Sequence, residues 1–230
     1  MAGSMTEIPV NGDAVPAYIS LPPSGSGPAV VVIQEWWGLV PHIRDVADRL
    51  AAQGFVAVAP DLYRGKETTE PDEAGKLLME LQLEQAAKDM AATVDTLLAM
   101  PETTGEGVGV VGFCMGGSLA LWSATLSDKV VAAAGFYPGL PWERMSPEWS
   151  NYAGKAAVIH CSEEDGTSAA PGIQTAKGAI EAALALQGLR EFFTWRLQGM
   201  TGNAAVFALL AFTGFAVALH ESTRRGRPLL

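Results

Sequence analysis

The sequence predicts an α/β fold in which a largely parallel, doubly wound sheet is flanked by helices. Short apolar runs rich in β-branched residues alternate with longer segments of helical periodicity, which is typical of parallel strands joined by crossover helices. Glycine and proline occur between these runs and not in a tract, as in a globular chain with many tight turns. With 230 residues, of which 49% are hydrophobic, we expect one domain over residues 1–230.

Five apolar runs are the predicted strands, and each has the length of a strand that is buried on both faces of a sheet. They occupy residues 29–34, 55–59, 108–113, 130–136 and 156–160. Apolar residues recur at helical spacing between them, and the predicted helices are residues 42–53, 73–100, 117–127 and 170–183. A further strand is expected at residues 192–197.

The charge balance and the cysteine count limit the class of function. Lysine and arginine number 15 against 25 aspartates and glutamates, so the net charge is -10 and nucleic acid is excluded as an expected partner. Cys114 and Cys161 are too few for a disulfide framework. Residues 1–23 lack the basic and apolar regions of a secretory signal, and we therefore expect a cytoplasmic protein.

The segment Gly112-Phe113-Cys114-Met115-Gly116 carries the strongest chemical signal, because it follows a predicted strand and precedes a predicted helix. A strand that turns sharply into a helix strains the backbone of its central residue and leaves no room for side chains at the flanking glycines. Such a turn would project the Cys114 sulfur from the carboxyl end of the sheet, where a helix N-terminus stabilises a thiolate. The alternative is a glycine-rich turn with a small buried cysteine.

Two acidic segments follow other predicted strands at the same edge of the sheet. Glu35 lies beside Trp36 and Trp37 after the first strand, where open α/β sheets bind ligands. Asp165 follows the fifth strand, where a carboxylate orients a catalytic imidazole in folds of this kind. The plainer interpretations are aromatic rings that cover the core and a solvated acidic turn. The order of Cys114 before Asp165 favours the catalytic arrangement.

Together these segments resemble the dienelactone hydrolase family of α/β-hydrolases. The resemblance rests on the motifs Gln34-Glu35-Trp36-Trp37-Gly38, Ala59-Pro60-Asp61-Leu62-Tyr63, Gly112-Phe113-Cys114-Met115-Gly116-Gly117 and Glu164-Asp165-Gly166. It covers about residues 10–183 and implies an α/β-hydrolase fold. It also implies the hydrolysis of a small-molecule ester or lactone, with no metal and no organic cofactor.

The resemblance implies a role for each motif residue. Cys114 would be the nucleophile, and Asp165 would be the acid that orients a histidine. Glu35 would hold the thiol in its resting state. The backbone N–H groups of Trp36 and Met115 would form the oxyanion hole.

Trp37, Tyr63 and Arg64 are the expected lining of the substrate pocket. The prototype of the family binds a substrate carboxylate through arginines that follow the Asp-Leu-Tyr motif and lie near the catalytic histidine. Residues 66–100 contain no arginine, which leaves Arg64 beside that motif. We therefore expect a substrate other than a carboxylated dienelactone.

The sequence departs from the family pattern at the catalytic histidine. The family places it in a Gly-x-x-His-Ala-Phe-like segment near the C-terminus, and Asn203 stands at that position here. Asparagine cannot accept and return a proton near neutral pH. His42 is expected at a helix start and His160 at a strand end. His220 is the one histidine after the acid and is therefore the candidate base, with a surface or membrane-flanking histidine as the alternative.

Residues 184–230 also differ in composition, since they contain five arginines and two glutamates but no lysine or aspartate. Three interpretations of this atypical tail compete. It is a divergent C-terminus that supplies His220, a short membrane anchor through the uncharged residues 203–219, or a family C-terminus replaced through a shifted reading frame. The abrupt change in charge and the absent histidine motif favour the shifted frame, because residues 203–219 reach only the lower limit of a membrane span.

Two functions follow from these observations. The first is hydrolysis of a small ester or lactone through a thioester on Cys114. The alternative is a catalytically impaired protein of the same fold that binds a small apolar ligand beside Trp36 and Trp37. A redox role for Cys114 is less favoured, because Cys161 does not form a Cys-x-x-Cys pair with it.

Overall fold

An eight-stranded sheet forms the centre of the structure, a computed structural model that describes residues 3–10, 12–139, 142–162, 169–186 and 193–197. The strands are β1 (Ser4–Val10), β2 (Asp13–Ser20), β3 (Gly27–Ile33), β4 (Val56–Pro60), β5 (Thr103–Phe113), β6 (Val130–Phe136), β7 (Ala156–Ser162) and β8 (Phe193–Leu197). Their order across the sheet is β1-β2-β4-β3-β5-β6-β7-β8. The pairs β1–β2 and β2–β4 are antiparallel and the others are parallel, which confirms the predicted, largely parallel sheet.

Helices cover both faces of this sheet, as predicted. They are α1 (Pro41–Ala52), α2 (Pro71–Glu80), α3 (Leu83–Ala99), α4 (Met115–Leu126) and α5 (Ala169–Leu186). On β3, Val30 and Val32 pack with α1, whereas Val31 and Ile33 pack on the opposite face with α3 and α4. A strand buried on both faces has to be apolar throughout, which is why β3 is a continuous apolar run.

The prediction of a single helix over residues 73–100 is wrong in one respect, because the structure has two helices there, α2 and α3. Leu81 and Gln82 have extended backbone angles between the two helices. The buried positions of α2 continue to Leu81, but the next buried position is Ala86, five residues later. In one continuous helix, buried residues recur every three or four positions, so a gap of five would turn Ala86 away from the sheet. The break between α2 and α3 lets both helices bury their apolar faces.

The hairpin of β1 and β2 was not predicted. It forms the antiparallel edge of the sheet. Hydrogen bonds from Gly3 and Tyr18 to Asp48 join it to α1. The Tyr18 hydroxyl lies 3.0 and 3.1 Å from the two carboxylate oxygens of Asp48, and the Gly3 amide donates to one of them at 2.8 Å.

The tail is described in part. The strand expected at residues 192–197 is β8, which pairs in parallel with β7. Within the described residues no helix is both long enough and apolar enough to cross a membrane. Residues 203–219, for which a membrane anchor was considered, lie outside the described residues.

Candidate active site

Cys114 occupies the sharp turn between β5 and α4. Its φ is 52° and its ψ is -119°, a conformation that residues with a side chain rarely adopt. A Cβ on Gly112 would lie 2.0 Å from the carbonyl oxygen of Gly116, and one on Gly117 would lie 2.6 Å from that of Phe136. The turn therefore has the strained strand-to-helix geometry that the glycine spacing predicts, and only glycine fits at these flanking positions.

Backbone hydrogen bonds hold the strained residue in place. The Cys114 amide donates to the Phe136 carbonyl oxygen at 2.9 Å, and the Cys114 carbonyl accepts from Gly117 at 3.0 Å and from Gly139 at 3.1 Å. The Cys114 side chain is half-buried. A Cβ on Gly139 would approach its sulfur to 3.3 Å, so a glycine at this position leaves space beside the thiol.

Two backbone N–H groups at this edge of the sheet have no hydrogen-bond acceptor among the described residues. Among the described residues, no hydrogen bond uses the amide of Trp36 or of Met115. The two amides belong to segments in close contact, because a Cβ on Gly116 would lie 2.3 Å from the Gln34 carbonyl oxygen. Unpaired backbone donors of this kind can stabilise an oxyanion where a nucleophile lies beside them.

Glu35 faces Tyr137 across this edge of the sheet. Glu35 is half-buried after β3, and its Oε1 accepts a hydrogen bond of 2.6 Å from the Tyr137 hydroxyl. Tyr137 follows β6 directly and has a φ of 37°. Burial and the Glu35 carboxylate raise the pKa of Tyr137, so its hydroxyl is a neutral donor. Sequence reasoning missed Tyr137, although it follows an apolar strand just as Glu35 and Cys114 do.

Tyr63 contacts the residue that follows Cys114, whereas Arg64 pairs with two aspartates. The buried Tyr63 hydroxyl donates to the Met115 Sδ at 3.3 Å, and burial raises its pKa. The Arg64 guanidinium lies 2.9 and 3.0 Å from the two carboxylate oxygens of the buried Asp89 and 3.0 Å from a carboxylate oxygen of Asp13. The Arg64 charge is therefore compensated by the carboxylates of Asp89 and Asp13.

The two tryptophans form a half-buried wall after β3. The rings of Trp36 and Trp37 lie 4.9 Å apart in an edge-to-face arrangement. The Trp37 carbonyl accepts from the Thr68 amide at 3.0 Å, which joins this loop to the segment that follows Tyr63. The predicted pocket residues Trp37 and Tyr63 thus belong to two loops in contact.

The two histidines within the described residues have ordinary structural positions. His160 lies near the carboxyl end of β7. Its buried ring stacks on that of Phe136, with the ring centroids 4.5 Å apart. Burial lowers the pKa of His160 to about 4, so its imidazole is neutral at pH 7. His42 is exposed at the start of α1, as expected. Asp165, Asn203 and His220 lie outside the described residues.

Most of the chain matches a known protein family in sequence. A sequence model of the dienelactone hydrolase family matches residues 15–189, which include Glu35, Tyr63, Cys114 and Tyr137. The chain belongs to the dienelactone hydrolase family. The resemblance inferred from the four motifs is thereby confirmed.

Individual members of the dienelactone hydrolase family show how much of the chain is shared. The chain is 42% identical over 146 residues to Protein usf of Aquifex pyrophilus, which covers 60% of this chain and 62% of that protein. An Aquifex aeolicus protein, provisionally named a carboxymethylenebutenolidase, is 39% identical over 145 residues with the same two coverages. A Synechocystis protein of the same name is 32% identical over 174 residues, or 71% of this chain and 68% of that one. The chain thus spans less than two thirds of the length of the two Aquifex relatives.

Solved structures show the same α/β-hydrolase fold. A Klebsiella pneumoniae protein, provisionally named a dienelactone hydrolase, has a TM-score of 0.73 at 23% identity and covers 94% of this chain and 98% of its own. A dienelactone hydrolase-like promiscuous phosphotriesterase from metagenomic libraries has a TM-score of 0.72 at 20% identity. The match covers 96% of this chain and 99% of that protein. At these identities the likeness concerns the fold.

Proposed function

We propose that this member of the dienelactone hydrolase family hydrolyses small esters or lactones through a thioester on Cys114. The strained Cys114 turn beside two unpaired amide donors is the observation that supports the proposal most directly. Backbone strain of this kind is typical of functional positions and has no benefit for a buried structural cysteine. The activity given in the names of two relatives, carboxymethylenebutenolidase, is of the same class.

In the proposed reaction the Cys114 thiolate attacks the carbonyl carbon of the ester. The oxyanion that forms accepts hydrogen bonds from the amides of Trp36 and Met115. The ester C–O bond then breaks and the alcohol leaves with a proton, which produces the thioester. Water attacks the thioester, releases the acid and restores the thiol. Asp165 and His220 are the proposed orienting acid and acid-base group for these proton transfers.

We propose further that the substrate carries no carboxylate of its own. Glu35 places an acidic side chain at the same edge of the sheet as Cys114, and the Arg64 guanidinium is bound to Asp89. A carboxylated ester would bring a second negative charge to this edge and would meet Coulomb repulsion. A neutral ester or lactone would avoid repulsion by Glu35 and could pack against the rings of Trp36 and Trp37.

The second candidate function is a catalytically impaired binding protein, and Asn203 in place of the family histidine favours it. Without acid-base catalysis, turnover falls by a factor of about 10² to 10⁴. Such a protein would retain the pocket and the nucleophile. It would become acylated on Cys114 and would release the acyl group slowly.

The test is steady-state hydrolysis of p-nitrophenyl acetate and of the mono-p-nitrophenyl ester of succinic acid by the full chain. We expect turnover of the neutral ester, a lower kcat/KM for the carboxylated ester, and loss of turnover in Cys114→Ala. Loss in His220→Ala and in Asp165→Asn would support the proposed triad. A single burst without turnover would support the impaired protein. Turnover that survives in Cys114→Ala would overturn both candidates.

A further inference from the structure

Glu35 and Tyr137 come from the two strands that flank the strand of Cys114. In the sheet, β5 lies between β3 and β6. Cys114 follows β5, Glu35 follows β3 and Tyr137 follows β6. The 2.6 Å hydrogen bond from the Tyr137 hydroxyl to Glu35 Oε1 therefore joins the ends of the neighbouring strands across the end of β5.

The backbone of Tyr137 is strained to make this contact. A φ of 37° places a residue with a large side chain in the left-handed region, which is unfavourable for residues other than glycine. The Tyr137 amide donates to the His160 carbonyl at 2.6 Å, and Gly139 donates to the Cys114 carbonyl at 3.1 Å. The strained segment is thus fixed to β7 on one side and to the nucleophile turn on the other, and its phenol points to Glu35.

We propose that Tyr137 is a positioning residue that fixes the Glu35 carboxylate and thereby sets the reactivity of the Cys114 thiol. The inference deepens the proposed function and rests on it in taking Cys114 as the nucleophile. A carboxylate near a thiol disfavours the thiolate, because the two like charges repel. While Tyr137 donates to one carboxylate oxygen, part of the negative charge is stabilised by the phenol. Without that hydroxyl, Glu35 is free to turn and its charge is uncompensated, so the thiolate becomes less favoured.

Three titratable groups at this edge, Tyr63, Tyr137 and His160, are neutral near pH 7 because burial shifts their pKa values. The described elements around Cys114 also carry Glu35 after β3, Asp61 after β4 and the exposed His42 on α1. The Tyr137 hydroxyl donates to Glu35, whereas Asp61 accepts from the amides of Tyr63 and Gly65. Burial raises the pKa of Tyr63 and lowers that of His160 to about 4. Glu35 is therefore the described acid through which a change at Tyr137 would act on the thiol.

The experiment measures the alkylation rate of Cys114 by iodoacetamide between pH 5 and 10 in the full chain. Mass spectrometry of the Cys114 peptide separates this reaction from that of Cys161, which is the internal control. The variants are Tyr137→Phe, Glu35→Gln and the double variant. We expect Tyr137→Phe to shift the rate profile to higher pH and to lower the rate at pH 7 about threefold to tenfold, which corresponds to about 0.5 to 1 pH unit. In the Glu35→Gln background the same change should have no effect.

The double-variant comparison distinguishes positioning from a structural role. An unshifted alkylation profile in folded Tyr137→Phe would overturn the inference. So would a shift caused by Tyr137→Phe that is equally large in the parent chain and in the Glu35→Gln background. Thermal melts followed by circular dichroism establish that each variant is folded. Alkylation requires no turnover, so a parent chain that shows the expected pattern without ester hydrolysis would refute the proposed function and leave the inference standing.

Discussion

Gly116 lies so close to Gln34 that a Cβ on the glycine would stand 2.3 Å from the Gln34 carbonyl oxygen. This contact sets the first turn of α4 against the end of β3. We expect Gly116→Ala to lower the free energy of unfolding by about 2–4 kcal/mol, because backbone atoms have to move. The shift would also separate the amides of Trp36 and Met115 and slow acylation of Cys114. Urea denaturation and the acylation rate measure the two effects.

Gly75→Ala is the matched control. Gly75 lies in α2, and a Cβ there would meet no atom within 4 Å. Alanine has the higher helix propensity, so this change should raise the free energy of unfolding by up to about 1 kcal/mol. Equal stabilities of the two alanine variants would refute the close packing of α4 on β3.

Arg64 is expected to contribute to stability and not to substrate binding. Arg64→Ala would leave the buried Asp89 carboxylate with the Gln85 amide at 2.8 Å but without its cation. An uncompensated buried charge should lower the free energy of unfolding by about 2–4 kcal/mol, measured by urea denaturation. The control is Lys76→Ala, which removes an ion pair with Glu73 in which both side chains are exposed. This change should alter the free energy of unfolding by less than about 1 kcal/mol.

A role of Arg64 in the substrate pocket, as the sequence predicts, would give a different result. Arg64→Ala would then raise KM for a carboxylated ester with little effect on KM for a neutral one. The ion pair with Asp89 predicts that both values stay near those of the parent chain.

His160 should make the protein less stable in mild acid. Its folded-state pKa of about 4 lies below the ordinary value of 6.5, so the unfolded chain takes up a proton that the folded chain excludes. The free energy of unfolding is then unaffected by His160 above about pH 6.5 and falls as the pH drops from there to about 4. The loss from this residue amounts to about 3 kcal/mol at the lower pH.

The control for this effect is His160→Phe, which retains a ring against Phe136 but cannot take up a proton. Urea denaturation at pH 7 and pH 4.5 should give a smaller acid loss in the variant than in the parent chain. If the two chains lose the same free energy of unfolding, His160 is not the buried neutral imidazole described here.

The parts of the fold that follow from local pattern were predictable. Strands buried on both faces are continuous apolar runs, and β3 to β7 were found this way. The β1–β2 hairpin was missed because its strands alternate in burial and contain Pro9 and Pro16, although the sequence pair Asn11-Gly12 is a typical signal for a hairpin turn. The break at Leu81 was missed because a shift of one residue in the apolar register is easily mistaken for continued helical spacing.

The candidate site was predictable where the chemistry follows from backbone geometry. Cys114 was found because flanking glycines are required at a sharp strand-to-helix turn. Tyr137 and the Asp89 partner of Arg64 were missed because each contact joins residues far apart in the sequence, 102 and 25 positions. Sequence spacing carries no information on such pairs unless the order of strands in the sheet is known.

The central claim is that Cys114 is an acylating nucleophile, and intact-protein mass spectrometry after brief exposure to p-nitrophenyl acetate tests it most directly. We predict the addition of one acetyl group, located on the Cys114 peptide and absent from Cys114→Ala. Acylation at another residue, or equal acylation in folded Cys114→Ala, would contradict the claim. A folded parent chain that takes up no acetyl group would contradict it as well.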